Sequence, residues 1–149
     1  MTRGESITSQ APGQAKVAID TNVYRNIDFI NYLKELKQDV STFLPSIVFL
    51  EIGYFFASKG FSWEAYEREI NKLGASRLDW SSIDDRQLIE RSIEQKANLP
   101  FSDHFRDFLI GIQCETLHLD LITYNTKHFA WCQNITIMTP EMFVASRIT

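Results

Sequence analysis

No stretch of this 149-residue chain approaches the roughly 20 consecutive apolar residues that a membrane-spanning helix needs. Cysteine is scarce. Cys114 and Cys132 are the only two and lack a C-x-x-C spacing, which favours free thiols in a reducing cytoplasm over a disulfide. A basic excess is also missing: 15 Lys and Arg stand against 19 Asp and Glu, for a net charge of −4. That balance argues against a basic nucleic-acid coat protein. It leaves open an enzyme acting on nucleic acid, since local patches decide contact. There is no repeat, no low-complexity tract and no internal linker. The leader "MTRGESITSQAPGQA" has no apolar core, so it does not read as a secretory signal, and residues 1–15 are expected to form a disordered arm. Residues 16–149 are then expected to be a single domain. Hydrophobic content of 44% and aromatic content of 13%, with eleven Phe, suit a packed core.

Periodicity and punctuation predict alternating strands and helices. "KVAI" at 16–19 reads as a strand and 22–39 as one helix. "STFLP" at 41–45 reads as a second strand, followed by a helix over 46–60 that stops at Gly60. Another helix starts on Ser62 as N-cap and ends at Gly74, and "SRLDW" at 76–80 is a third strand. Helices follow over 82–98 and 102–117, the latter with Phe105, Phe108, Leu109, Ile112 and Thr116 inward. "LDLIT" and "ITIMT" supply the fourth and fifth strands, with a helical turn "NTKHF" between them, and Pro140 opens the last helix. This order predicts an α/β protein: a three-layer α/β/α sandwich around a mostly parallel sheet of four to five strands.

Ligands in such folds gather beyond the carboxyl ends of the strands. Asp20 ends the first strand, Glu51 lies early in the helix after the second, and Asp107 lies early in the helix before the fourth. Thr123 and Asn125 sit at the end of that fourth strand. An ionised Asp20 after a buried apolar run loses hydration without compensation unless a cation reaches it. Carboxylates brought close together raise one another's pKa, and a divalent ion reverses the effect. Oxygen donors select Mg²⁺ or Mn²⁺; zinc is disfavoured, because the sequence shows neither paired His nor Cys ligands. A hard dication of this kind suits phosphodiester hydrolysis. Taken singly, each acid also has a plainer reading. Asp20 can be an N-cap or turn residue, Glu51 part of a solvated face, Asp107 a surface ion pair with Arg106, and Asp103 a cap on its helix.

The segments "IDTNVY", "PSIVFLEIGYF" and "DFLIGIQCETLHLDLITYNTKHF" resemble the PIN-domain nucleases, especially VapC-type toxins of toxin–antitoxin pairs. The resemblance runs from residue 16 to about 140, with Asp107, Thr123, Asn125 and Phe129 at the family's offsets. It implies that Asp20, Glu51 and Asp107 are the catalytic, metal-binding acids. Thr21, Asn22 and Thr123 would orient them, Asn125 would replace a common fourth acid, and Asp103 would be an optional extra one. His118 stands where the family usually has Gly, which puts the turn there in question. The implied activity is RNA cleavage, of a tRNA or another structured RNA, by a metal-activated water with Mg²⁺ or Mn²⁺. The implied partners are the RNA, a second copy in a homodimer, and an antitoxin whose peptide occupies the groove. Arg25, Arg106 and Lys127, which flank the acids in sequence, are the expected phosphate contacts, with a solvated face as their alternative.

Two enzymatic rivals fare worse. A haloacid-dehalogenase-type phosphatase needs a second Asp two residues after the first, where this chain has Asn22. A receiver domain needs an acid pair at the first strand. A catalytically inactive PIN-like module that binds RNA or protein remains the alternative function.

Overall fold

A computed structural model describes residues 15–148. The expected N-terminal arm therefore lies outside the described residues, except for Ala15, which begins the first strand. In chain order the elements are β1 (Ala15–Ile19), α1 (Thr21–Tyr24), α2 (Ile27–Glu35), β2 (Val40–Leu44), α3 (Ser46–Ser58), α4 (Trp63–Leu73) and β3 (Ala75–Arg77). They continue with α5 (Asp85–Glu94), α6 (Phe101–Leu117), β4 (Asp120–Ile122), β5 (Ile137–Met138) and α7 (Pro140–Ile148). Short 3₁₀ turns at Trp80–Ser82 and Thr126–Phe129 precede α5 and follow β4.

All five strands are parallel, in the order β3-β2-β1-β4-β5. The chain steps outward from β1 to β3, then returns across the sheet to β4. With right-handed crossovers, that reversal puts α1–α4 on one face and α5–α6 on the other, giving the expected three layers. It also makes β1 and β4 the switch point, where a crevice opens above the strand ends. Register fixes what lines it. Ile19 pairs with Ile122, so Asp20 and Thr123 leave the sheet side by side.

Local chemistry explains most boundaries. Ser62 Oγ accepts from Ala65 N at 3.1 Å, and Gly74 closes α4 in the left-handed conformation. At the end of α3, Gly60 at φ 89° lets Gly60 N–H reach Ala57 O and Phe61 N–H reach Phe56 O, and the Phe56 and Phe61 rings pack at 5.5 Å. His118 adopts the left-handed conformation at φ 56° and closes α6, a turn that glycine more often makes. The expected helix over 22–39 is broken, because the Asn26 side chain accepts from Phe29 N at 3.0 Å and starts α2 afresh.

Helix α6 departs furthest from a one-stripe pattern. Phe105 and Thr116 are exposed, whereas Ile110 and Cys114 pack into the main core. Phe108, Leu109 and Ile112 pack on Leu88 and Trp131 in a second cluster. The helix is covered from two sides, so its buried arc is wider than one face. Neither cysteine is bonded to the other, and burial pushes both thiols' pKa up. No helix among the described residues is long and apolar enough to cross a membrane.

Close packing of α6 against Trp131 leaves no room at Gly111. A methyl group there would lie 2.5 Å from the indole and 2.9 Å from Cys132 Sγ. Gly111→Ala should therefore lower unfolding free energy by about 1–3 kcal/mol despite alanine's better helix propensity, as read by urea denaturation.

Candidate active site

The Asp20 side chain has no exposed surface. Its Oδ1 accepts from Thr21 N at 2.7 Å, so it does cap the one-turn α1, and its Oδ2 accepts from Thr123 Oγ1 at 2.8 Å. These neutral donors alone do not balance a buried charge. The balance comes from Arg106 on α6. Its Nη2 donates to Asp20 Oδ1, its Nε to Glu51 Oε2 at 2.6 Å, and its Nη1 to Asp107 Oδ1 at 3.1 Å. A second bond runs from Nη2 to Glu51 Oε1 at 2.9 Å, and Thr21 Oγ1 donates to that same oxygen. One guanidinium thus gathers three carboxylates from three separate segments.

Glu51 feels two opposed effects. Burial works to raise its pKa, but hydrogen bonds from Arg106 and Thr21, with the Arg106 charge, outweigh it and hold the carboxyl below its ordinary value. Burial likewise works against the Arg106 cation. The hydrogen bond to Glu51 and the attraction of Asp20 more than reverse this and push its pKa up.

Buried polar groups set the elements that carry these side chains. Pro45 gives α3 no side-chain cap, and Gln113 of α6 takes that role: its Oε1 accepts from Ser46 N at 3.0 Å. Gln113 Nε2 donates to Ser46 Oγ at 2.7 Å and to Asp79 O at 3.0 Å. This clamp ties α3, which carries Glu51, to α6, which carries Arg106 and Asp107. Asn22 Oδ1 accepts from Tyr124 N at 3.3 Å, and Asn125 N donates to Thr123 Oγ1 at 3.0 Å, so both shape the loop after β4.

Of the residues expected at the site, Asp20, Thr21, Glu51, Asp107 and Thr123 come together. Asp103 is exposed on the first turn of α6, and Asn125 and Lys127 are exposed after β4. Arg25 is exposed and lines a groove of about 790 Å³ that runs beside Thr21 and Glu51, with Tyr24, Ile27, Leu50 and Tyr54 as its apolar walls. Arg106, expected to face RNA phosphate, turns inward, because three carboxylates attract it more than solvent does.

The sequence reading missed two histidines. His104 sits one turn before Asp107, and His128 lies in the 3₁₀ turn after β4; each Nδ1 is 3.2 Å from Asp107 Oδ2. The expectation that no paired His ligands exist is therefore corrected, since the fold pairs residues far apart in sequence. The H-x-x-D spacing on a helix was the available signal.

The acids fit a hard dication by one structural test: their oxygens already converge on a cation, the guanidinium, which is 32% exposed and has a path toward solvent. The topology is that of a VapC-like PIN fold. Among solved structures, the chain is similar to the crystal structure of VapBC2 from Rickettsia felis bound to a DNA fragment from their promoter. The TM-score is 0.58 at 19% identity, covering 82% of this chain and 96% of that one, so what the two share is the fold. No protein-family model and no curated protein matches the chain.

Arg106→Gln should leave Asp20 buried without its counter-charge. We expect a loss of roughly 1–3 kcal/mol, moderated by the partial exposure of Arg106, and a larger rise in melting temperature with millimolar Mg²⁺ than in the unaltered protein. Because the Glu51 pKa lies below its ordinary 4.5, its contribution to stability is complete above that value and is lost as pH falls through the folded-state pKa. Thermal melts across the acid range should show a shallower acid loss in Glu51→Gln.

Proposed function

We propose that this chain is a divalent-metal-dependent endoribonuclease that hydrolyses RNA phosphodiester bonds, and that it is the toxin of a toxin–antitoxin pair. The reading is carried by Asp20, Glu51 and Asp107 meeting around one cationic group at the β1/β4 switch point. Mg²⁺ or Mn²⁺ suits these oxygen donors; when bound, it polarises the phosphodiester and acidifies a water. Asp20, Glu51 and Asp107 would hold the ion. Thr123 and Thr21 fix the rotamers of Asp20 and Glu51 through their hydroxyl bonds. Asn125 and Asp103 stand at the rim as weaker polar groups. Arg106, Arg25 and Lys127 are the cations that would contact RNA phosphates.

The apolar groove beside Glu51 supports an antitoxin partner, whose segment would lie along it and approach the acids. Exposed Ile89 and Ile93 on α5, with Phe101 and Phe105 on α6, support a homodimer. The location we propose is the cytoplasm, where the thiols stay reduced. A second reading is favoured by Arg106 itself. A site occupied by its own arginine suits an inactive PIN-like module that binds RNA or protein without cutting.

Incubating the full chain with labelled structured RNA and Mn²⁺ separates the two. Cleavage that requires the metal and falls at least ~100-fold in Asp20→Asn and Asp107→Asn is the expected result. Binding without products across several RNAs would favour the module.

A further inference from the structure

We propose that His104, Asp107 and His128 form a binding site for a first-row transition-metal dication, adjoining the all-oxygen site of Asp20 and Glu51 and sharing Asp107 with it. Their candidate ligand atoms lie within 4.8 Å of one another. Both imidazoles aim Nδ1 at the same carboxylate oxygen, Asp107 Oδ2, at 3.2 Å, and their rings meet edge to face at 4.9 Å. The other oxygen, Oδ1, is engaged by Arg106. Asp107 therefore looks in two directions, and this second site does not require Arg106 to move.

The scaffold on both sides is fixed. His104 and Asp107 are one turn apart on α6. The turn carrying His128 is held by Trp131, whose Nε1 donates to His128 O at 2.7 Å. Trp131 is held in turn by the buried Arg91, which donates to Trp131 O at 2.7 Å and forks onto Glu115 at 2.6 and 2.9 Å. The His128 side chain is 41% exposed against 9% for Asp107, so the site opens to solvent on the His128 side.

Charge points the same way. Three carboxylates face a single guanidinium in a partly buried cluster, so a further cation is favoured there. A neutral imidazole that gives its Nδ1 lone pair to a metal carries its proton on Nε2. Two nitrogens and one carboxylate suit Zn²⁺, Mn²⁺ or Co²⁺ rather than Mg²⁺ or Ca²⁺.

This inference stands apart from the nuclease reading, and its test uses no RNA. The full chain has three histidines, so ¹⁵N-histidine labelling gives three imidazole spin systems, with His118 as internal control. Titration with Zn²⁺ should shift the His104 and His128 resonances, saturating at one equivalent, while His118 stays in place and millimolar Mg²⁺ fails to reproduce those shifts. Co²⁺ binding, read by its visible absorption, should weaken about tenfold or more in both His104→Asn and His128→Asn and be unchanged in His118→Asn. Imidazoles unmoved by excess Zn²⁺, equal shifts at all three, or unchanged Co²⁺ affinity in both variants would each overturn the proposal. RNA cleavage is free to succeed or fail independently of it.

Discussion

A carboxylate with no exposed surface, Asp20 at the end of β1, sets the terms for everything around it. Desolvating such a group costs several kcal/mol unless charge and hydrogen bonds are brought to it. Here they come from three directions: Thr21 in the adjoining turn, Thr123 just beyond the neighbouring strand and Arg106 on a distant helix. The topology makes that supply possible. Because the chain reverses between β3 and β4, β4 lands beside β1, and α6 arrives over the same crevice carrying the cation.

Arg106 does two things that pull against each other. It neutralises acids that would otherwise repel one another, which favours the folded chain. It also stands where an ion would have to go. A carboxylate cluster with its own movable counter-ion can be stable without metal and still admit one, provided the arginine has somewhere to swing. Its side chain is 32% exposed, and two of the residues it bonds, Thr21 and Glu51, line the adjoining groove. Asp107 is the hinge of this arrangement, with one oxygen toward the guanidinium and the other toward two imidazoles.

Much of the fold was legible because it rests on local chemistry. Ser62 and Gly74 bracket α4, Gly60 terminates α3, and Pro140 opens α7, each through backbone preferences that neighbouring residues determine. Asn26 was misread because a residue neutral in a helix interior is a strong cap, and only the geometry at Phe29 shows which role it takes. Phe105 and Thr116 fall on a single apolar stripe by spacing, whereas α6 is wrapped from two sides and leaves them exposed. The Gln113 clamp gave no sequence signal, since its partners at Ser46, Asp79 and Ser82 are remote along the chain.

By itself, the sequence determined the order of strands and helices and the identity of the acids at the strand ends, since both follow from short-range pattern and from the rule that parallel sheets present their carboxyl edges. Tertiary structure alone decided what meets those acids. Whether Arg106 faces solvent or Asp20, and whether His104 ever sees His128, depends on how α6 packs over the β1/β4 crevice. Contacts between residues so far apart along the chain leave no trace in local periodicity.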